Sequence, residues 1–215
     1  MNEFAAQKIK LIMDLRRQGI MNTDVLNAIE RVPREAFVPR PIRDHAYENA
    51  ALPISSGQTI SQPYIVAYMT QMLEPNPRNK VLEVGTGSGY QAAILAKLFR
   101  RVYSIERYRS LHTEAMQLFE KLKIMNLTTK LGDGHKGWLE QAPFKHIIVT
   151  AAASDVPATL VDQLDDNGIM IIPVGPDEGD QTILKITKDH HGLVAEEELI
   201  PVRFVPLVQG LAVES

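Results

Sequence analysis

The stretch Val81-Leu-Glu-Val-Gly-Thr-Gly-Ser-Gly-Tyr90 limits what this 215-residue chain can fold into more than any other. Residues Val81 to Val84 read as a short buried strand. Gly85, Gly87 and Gly89 follow at alternate positions, and Gln91 to Phe99 reads as a helix. Strand, glycine turn and helix together let a ligand lie against backbone at the end of a parallel sheet. Glycine has no Cβ, so the turn can be tight and the ligand can come close.

Arg101 to Ile105 reads as the next strand, and Glu106 stands at its end, 21 residues after Gly85. That is close to the spacing of about 20 residues expected for an acid that grips ribose hydroxyls. A dinucleotide fingerprint would put its last glycine one residue further on, where this chain has Tyr90. The tighter turn, with Glu83 just before it, suits a nucleoside ligand with a cationic end, a description that fits S-adenosylmethionine. A structural glycine turn alone is common; turn, strands and Glu106 together point to a nucleoside cofactor.

The length predicts one domain. Within it, residues 1–78 read as a helical and loop cover, 79–175 as the cofactor-binding core and 176–215 as added strands. Net charge is −3, so no general electrostatic case exists for nucleic acid or an anionic membrane as partner. There is no cysteine, which removes disulfide and thiolate chemistry and fits a cytoplasmic protein. Met1 to Lys8 holds an early acid and no long apolar run, so no signal peptide is expected. No apolar stretch approaches the roughly 20 residues of a membrane span. A monomer is the expectation.

Helices are expected over residues 4–17, with Ile9, Ile12 and Leu15 on one stripe, and from a cap at Thr23 or Asp24 to Pro33. This pair precedes the glycine unit and reads as an extension that covers a site. Residues 39–63, with four prolines, read as a packed irregular loop. Helices follow at 64–73 and 110–122. Strands are expected at 127–131, 146–150 and 168–174, with a helix over 157–164. The alternation predicts an α/β fold, a doubly wound, mostly parallel sheet with helices on both faces. Residues 182–187, 193–199 and 202–208 read as antiparallel strands added at one edge.

Glu83 and Glu106 stand at strand carboxyl ends, where ligands bind in such sheets; each could instead be a solvated loop acid. Asp133, between Gly132 and Gly134, reads equally as a turn residue or as a contact to an adenine edge. Ser61, just before Pro63, reads locally as a helix cap. A helix start is also a natural seat for a carboxylate, so the two readings are compatible. None of the six histidines has metal-ligand spacing, and no metal is expected. No Gly-x-Ser-x-Gly elbow occurs, so nothing supports a serine hydrolase. Trp138 is expected to pack under the loop from Gly132 to Gly137.

Over nearly all its length the chain resembles the bacterial protein-L-isoaspartate O-methyltransferases. The matching stretches are Val32 to Val38, Gly57-Gln-Thr-Ile-Ser-Gln-Pro63, Val81 to Tyr90, Tyr103 to Arg107, Gly132-Asp-Gly134, Ile147 to Ala152 and Val202-Arg-Phe-Val-Pro-Leu207. Many methyltransferases share the glycine motif; the 57–63 and 202–207 stretches are far more specific. The resemblance implies a Rossmann-like methyltransferase fold and S-adenosylmethionine as donor, with S-adenosylhomocysteine as product. Its acceptor would be the free α-carboxylate of an isoaspartyl residue in a damaged protein or peptide, whose methylation promotes return towards aspartate. It implies cofactor contacts from Gln58, Thr59, Ile60, Ser61, Glu83, Gly85, Gly87, Gly89, Glu106, Asp133 and Gly134. Ser61 is the expected catalytic residue, orienting the acceptor, and Val205 and Leu207 complete the substrate site as a strand that pairs with the peptide. One departure is visible: the family often has an acid after the aromatic that opens the fourth strand, where this chain has Lys145 and His146. That position reads as one that shapes the sheet edge. A nucleic-acid N-methyltransferase would carry Asp/Asn-Pro-Pro-aromatic where this chain has Thr150-Ala-Ala-Ala153. A nucleoside-binding module without catalysis is the reading left if Ser61 is only a cap.

Overall fold

The computed structural model describes residues 4–177 and 179–214. Helix α1 (Ala5–Arg17) buries Leu11 and Leu15, one turn apart, while Ile9 faces outward at 60% exposure, so the apolar stripe differs from the one expected. Helix α2 (Thr23–Arg31) is capped by Asn22, one residue before the expected caps, whose side chain accepts from the N–H groups of Asp24 (3.0 Å) and Val25 (3.1 Å). The proline-rich stretch is more regular than a loop. It holds two short 3-10 helices and a hairpin, β1 (Leu52–Pro53) with β2 (Thr59–Ile60), turned at Ser55–Gly57. Helix α3 (Pro63–Met72) follows, with proline in its first turn, where a missing N–H costs nothing.

The central unit runs β3 (Lys80–Val84), α4 (Tyr90–Leu98), β4 (Arg101–Glu106), α5 (Arg109–Lys121), β5 (Leu127–Leu131), β6 (Phe144–Val149), α6 (Ala158–Asp162) and β7 (Leu164–Val174). Strands β8 (Gln181–Lys188) and β9 (Val194–Val202) complete a seven-stranded sheet of order β5-β4-β3-β6-β7-β8-β9. It is parallel from β5 to β7 and antiparallel beyond. The order reverses beside β3, between β4 and β6, and such a switch point opens a crevice at the strand carboxyl ends.

Two boundaries differ from the sequence reading. Helix α6 stops at Asp162, and β7 already starts at Leu164, passing through Asn167 at φ 53°. The expected strand over 202–208 is absent: β9 ends at Val202, and the chain leaves the sheet with a single bridge, Ala152 to Pro206. Pro206 has no N–H to donate, so a regular ladder cannot continue through it.

One apolar cluster carries Leu15, Ile29, Val66, Val81, Ile94 and Ile148, joining helices α1 to α4 to one face of the sheet. A second, with Leu82, Val84, Ile147 and Leu160, lies on the other face under α6. Helix α2 packs against α1, α3 and α4, and neither α1 nor α2 contributes a residue to the cleft described next. Among the described residues no helix is long and apolar enough to cross a membrane.

Candidate active site

A cleft opens at the carboxyl ends of β3, β4 and β6, lined by the glycine turn, Glu106, residues 58–61 and residues 205–208. Gly85 shows why the turn is glycine: its φ is +98°, and a Cβ there would collide with Thr150 Oγ1. That hydroxyl instead donates to the Gly85 carbonyl at 2.6 Å, tying the turn to the chain after β6. Gly134 also lines the cleft, and a Cβ on it would strike Val84 Cγ1. Gly89 does not reach the cleft wall; it begins α4 against Phe119.

Glu106 is 4% exposed and faces the cleft. Its Oε2 accepts from Gly87 N–H at 2.7 Å, and its Oε1 from Arg107 (2.8 Å) and Tyr108 (3.0 Å) N–H. Three backbone donors hold the carboxylate in one orientation, and with about four lone-pair sites it still has room for a donor from a ligand. Glu83 is different. It is 0% exposed and lies behind the glycine turn, off the cleft wall. Ser104 Oγ donates to its Oε2, and its Oε1 has no partner among the described residues. Burial pushes its pKa up to about 8, against the Ser104 hydrogen bond, with the charge of Glu106 adding to the rise.

Ser61 is half-buried on the opposite wall beside Gln58, Thr59 and Ile60. It is not the cap of α3: the cap position is Gln62, and Asn49 Oδ1 accepts from Tyr64 N–H at 2.9 Å. Local sequence pointed to Ser61 because the contribution of Asn49 comes from 15 residues away. Val205 and Leu207 line the cleft as well, but not as a free strand edge. The Val205 carbonyl accepts from Ala152 N–H (2.8 Å), and Leu207 N–H donates to Ala152 O (2.7 Å). Gln181 takes both backbone groups of Phe204. A peptide could not use those groups for strand addition.

Asp133 stands just off the cleft wall. Burial pushes its carboxyl up, but the backbone N–H groups of Gly210 and His135 outweigh that and keep it below the usual range. Arg107 and Tyr108 also line the cleft and were missed in the sequence. Gln58 Nε2 donates to Tyr108 Oη at 3.4 Å, and Arg107 Nε to Gly210 O at 3.2 Å, so these two join both walls to the end of β4. Their position just after the acid at the strand end was the only available signal. Among the described residues no group of three or more His, Cys, Asp or Glu could hold a metal ion.

Residues 6–212 match the family profile of protein-L-isoaspartate(D-aspartate) O-methyltransferase (PCMT). The chain belongs to this family. The protein-L-isoaspartate O-methyltransferase of Parvibaculum lavamentivorans is 59% identical over 217 residues, covering 100% of this chain and 97% of that one. A solved protein-L-isoaspartate O-methyltransferase superposes with a TM-score of 0.85 at 27% identity, over 95% of this chain and 67% of that one. Another, from Plasmodium falciparum and in complex with S-adenosyl-L-homocysteine, gives 0.79 at 29% identity, over 93% and 97%.

Within this O-methyltransferase family the departure at Lys145 and His146 has a structural account. Strand β6 is interior, paired with β3 and β7, so the position is not at the sheet edge as expected. His146 packs edge-on to Phe99, its Nδ1 is 2.9 Å from Leu73 O and its Nε2 3.0 Å from Asn79 Nδ2. Burial lowers its pKa. Lys145 donates to Asp166 O and sits 3.5 Å from Asp165. Both residues lie at the amino end of β6, opposite the cleft. Trp138 packs edge-on to Tyr103, 5.4 Å between ring centres.

Proposed function

We propose that this chain moves the methyl group of S-adenosylmethionine to the free α-carboxylate of L-isoaspartyl residues in damaged proteins and peptides, leaving S-adenosylhomocysteine. The observation that carries the reading is the meeting of two walls in one cleft: Glu106 and the glycine turn on one, Ser61 with Val205 and Leu207 on the other. The first wall fits the cofactor. Glu106 keeps acceptor capacity for ribose hydroxyls, the turn admits close approach, and the Glu106 carboxylate favours a cation. Gly134, on the cleft wall, and Asp133 beside it would meet the adenine end. When bound, the cofactor supplies an electrophilic methyl group on a sulfonium.

The rest is the work of the chain. A carboxylate acceptor is already ionised at neutral pH, so no general base is needed. What remains is to align the acceptor and exclude water. Among the described residues the Ser61 hydroxyl has no hydrogen-bond partner, so it can donate to the acceptor carboxylate. Residues 58–61 and 205–208 flank the cleft and act as its cover. We take the substrate to be protein rather than nucleic acid, given the net charge of −3, and the working form to be a cytoplasmic monomer, in keeping with the absence of cysteine.

The test is one incubation of labelled S-adenosylmethionine with an isoaspartyl peptide and its aspartyl twin. Base-labile label on the isoaspartyl peptide alone is the expected result. Equal labelling of both, or of neither, rejects the reading.

A further inference from the structure

We infer that Glu83 is a specificity-determining residue for the donor: it carries a proton while the cleft is empty and releases it to solvent when a sulfonium settles against the glycine turn. The inference rests on the cofactor reading above and adds to it a means of telling donor from product.

Glu83 faces the same side of the sheet as its register partners Ser104 on β4 and Ile148 on β6. An ionised carboxylate sealed there has a single hydroxyl donor, on Oε2, and nothing on Oε1. Without a counter-charge that arrangement strongly disfavours the anion. The charged groups around it do not supply one. Glu106, two residues beyond Ser104 on the same face, is another carboxylate and opposes ionisation. Lys80, Arg101, Lys145 and His146 belong to the amino ends of β3, β4 and β6. Helix α3 has no charged residue, and α4 has only Lys97, in its last turn. Arg107 turns to Gly210 and Tyr108, while Arg109 and His112 of α5 lie beyond Glu106. Burial accordingly pushes the Glu83 carboxyl up to about 8.

The residue is sealed off but not remote. Ser104 Oγ, which donates to Glu83, is 2.6 Å from Thr86 Oγ1, and Thr86 lines the cleft. The two hydroxyls form a relay between the cleft and the acid, with either one able to donate to the other. Between them lies the turn Gly85-Thr-Gly87, without side-chain bulk at either end. A positive charge against that turn is the counter-charge Glu83 lacks. S-adenosylhomocysteine has the same α-amino group but a neutral sulfur, so it draws the proton off less. Each unit by which the donor lowers the Glu83 pKa adds a factor of about ten to its affinity above the titration, relative to below it.

The experiment is calorimetric titration of the purified protein with each ligand at pH 7, in buffers of differing ionisation enthalpy. The donor should release about one proton more than the product does. The ratio of donor to product affinity should rise several-fold between pH 6.5 and 8.5; the ligand α-amino group cancels in that ratio. Glu83→Gln should bind both ligands with no difference in proton count and a pH-independent ratio. Equal proton counts for donor and product in the parent, or an unchanged difference in Glu83→Gln, overturn the inference while leaving the cofactor reading intact. Failure of either ligand to bind removes the cofactor reading and this inference with it. Should Glu83→Gln not fold, Ser104→Ala keeps the acid and removes its donor, so the midpoint of the affinity ratio should move to higher pH; an unmoved midpoint overturns the assignment.

Discussion

On the strand side of the cleft the polar groups are held by the chain itself. Glu106 takes three backbone N–H groups, and Thr150 Oγ1 bonds the Gly85 carbonyl. On the facing side, residues 58–61 and 205–208 belong to no long element, and Ser61 is not the cap and has no hydrogen-bond partner among the described residues. One wall is thus shaped before any ligand arrives, while the other keeps a hydroxyl in reserve. Residues of the first wall fix geometry and affinity together, so changing them disturbs backbone as well as ligand. A residue of the second can be changed with little cost to the fold and a direct cost to the acceptor.

The strongest test of the first wall is Glu106→Ala. Loss of hydrogen bonds to a charged group should weaken S-adenosylmethionine binding by about 1.5–3 kcal/mol. The turn should loosen too, because Gly87, Arg107 and Tyr108 lose their acceptor. Calorimetry with a melting curve reads both, and intact affinity in a folded variant would break the comparison at once. Gly134→Ala should cost about 1–3 kcal/mol of stability, since its Cβ meets Val84 Cγ1 in a packed site; denaturant unfolding measures it, and a neutral result means that wall is less rigid than drawn.

For the second wall, Ser61→Ala should lower the rate on an isoaspartyl peptide about tenfold at saturating cofactor, through misalignment of the acceptor. Stability should move by less than about 0.5 kcal/mol, because Ser61 is not the cap. Full turnover with a lowered melting temperature would return Ser61 to a structural role. The smallest effect belongs to Asp133, whose Oδ1 accepts from His135 N–H at 2.9 Å. Asp133→Ala should cost about 0.5–1 kcal/mol of stability or cofactor affinity, and Asp133→Asn, which keeps an acceptor, less. Equal values for both variants and the parent would leave it a bystander.

The sequence by itself determined the glycine turn, the strands that flank it and the acid at the end of β4. Each depends on local sterics and on a period of apolar residues that a short window contains. It also carried the family likeness, because whole stretches such as 57–63 are contiguous. The tertiary structure alone separated Glu83 from Glu106. Both stand at strand ends, and both face the same side, but one reaches the cleft and the other is sealed behind the turn. It alone ended the last strand at Val202, where Gln181 and Ala152 claim the backbone beyond, and it alone freed Ser61 by having Asn49 serve the start of α3. Those outcomes turn on partners 15 residues or more apart in the chain, and on how much water is left around a charge. Spacing along a sequence records neither, because burial and pairing are fixed only when distant segments pack.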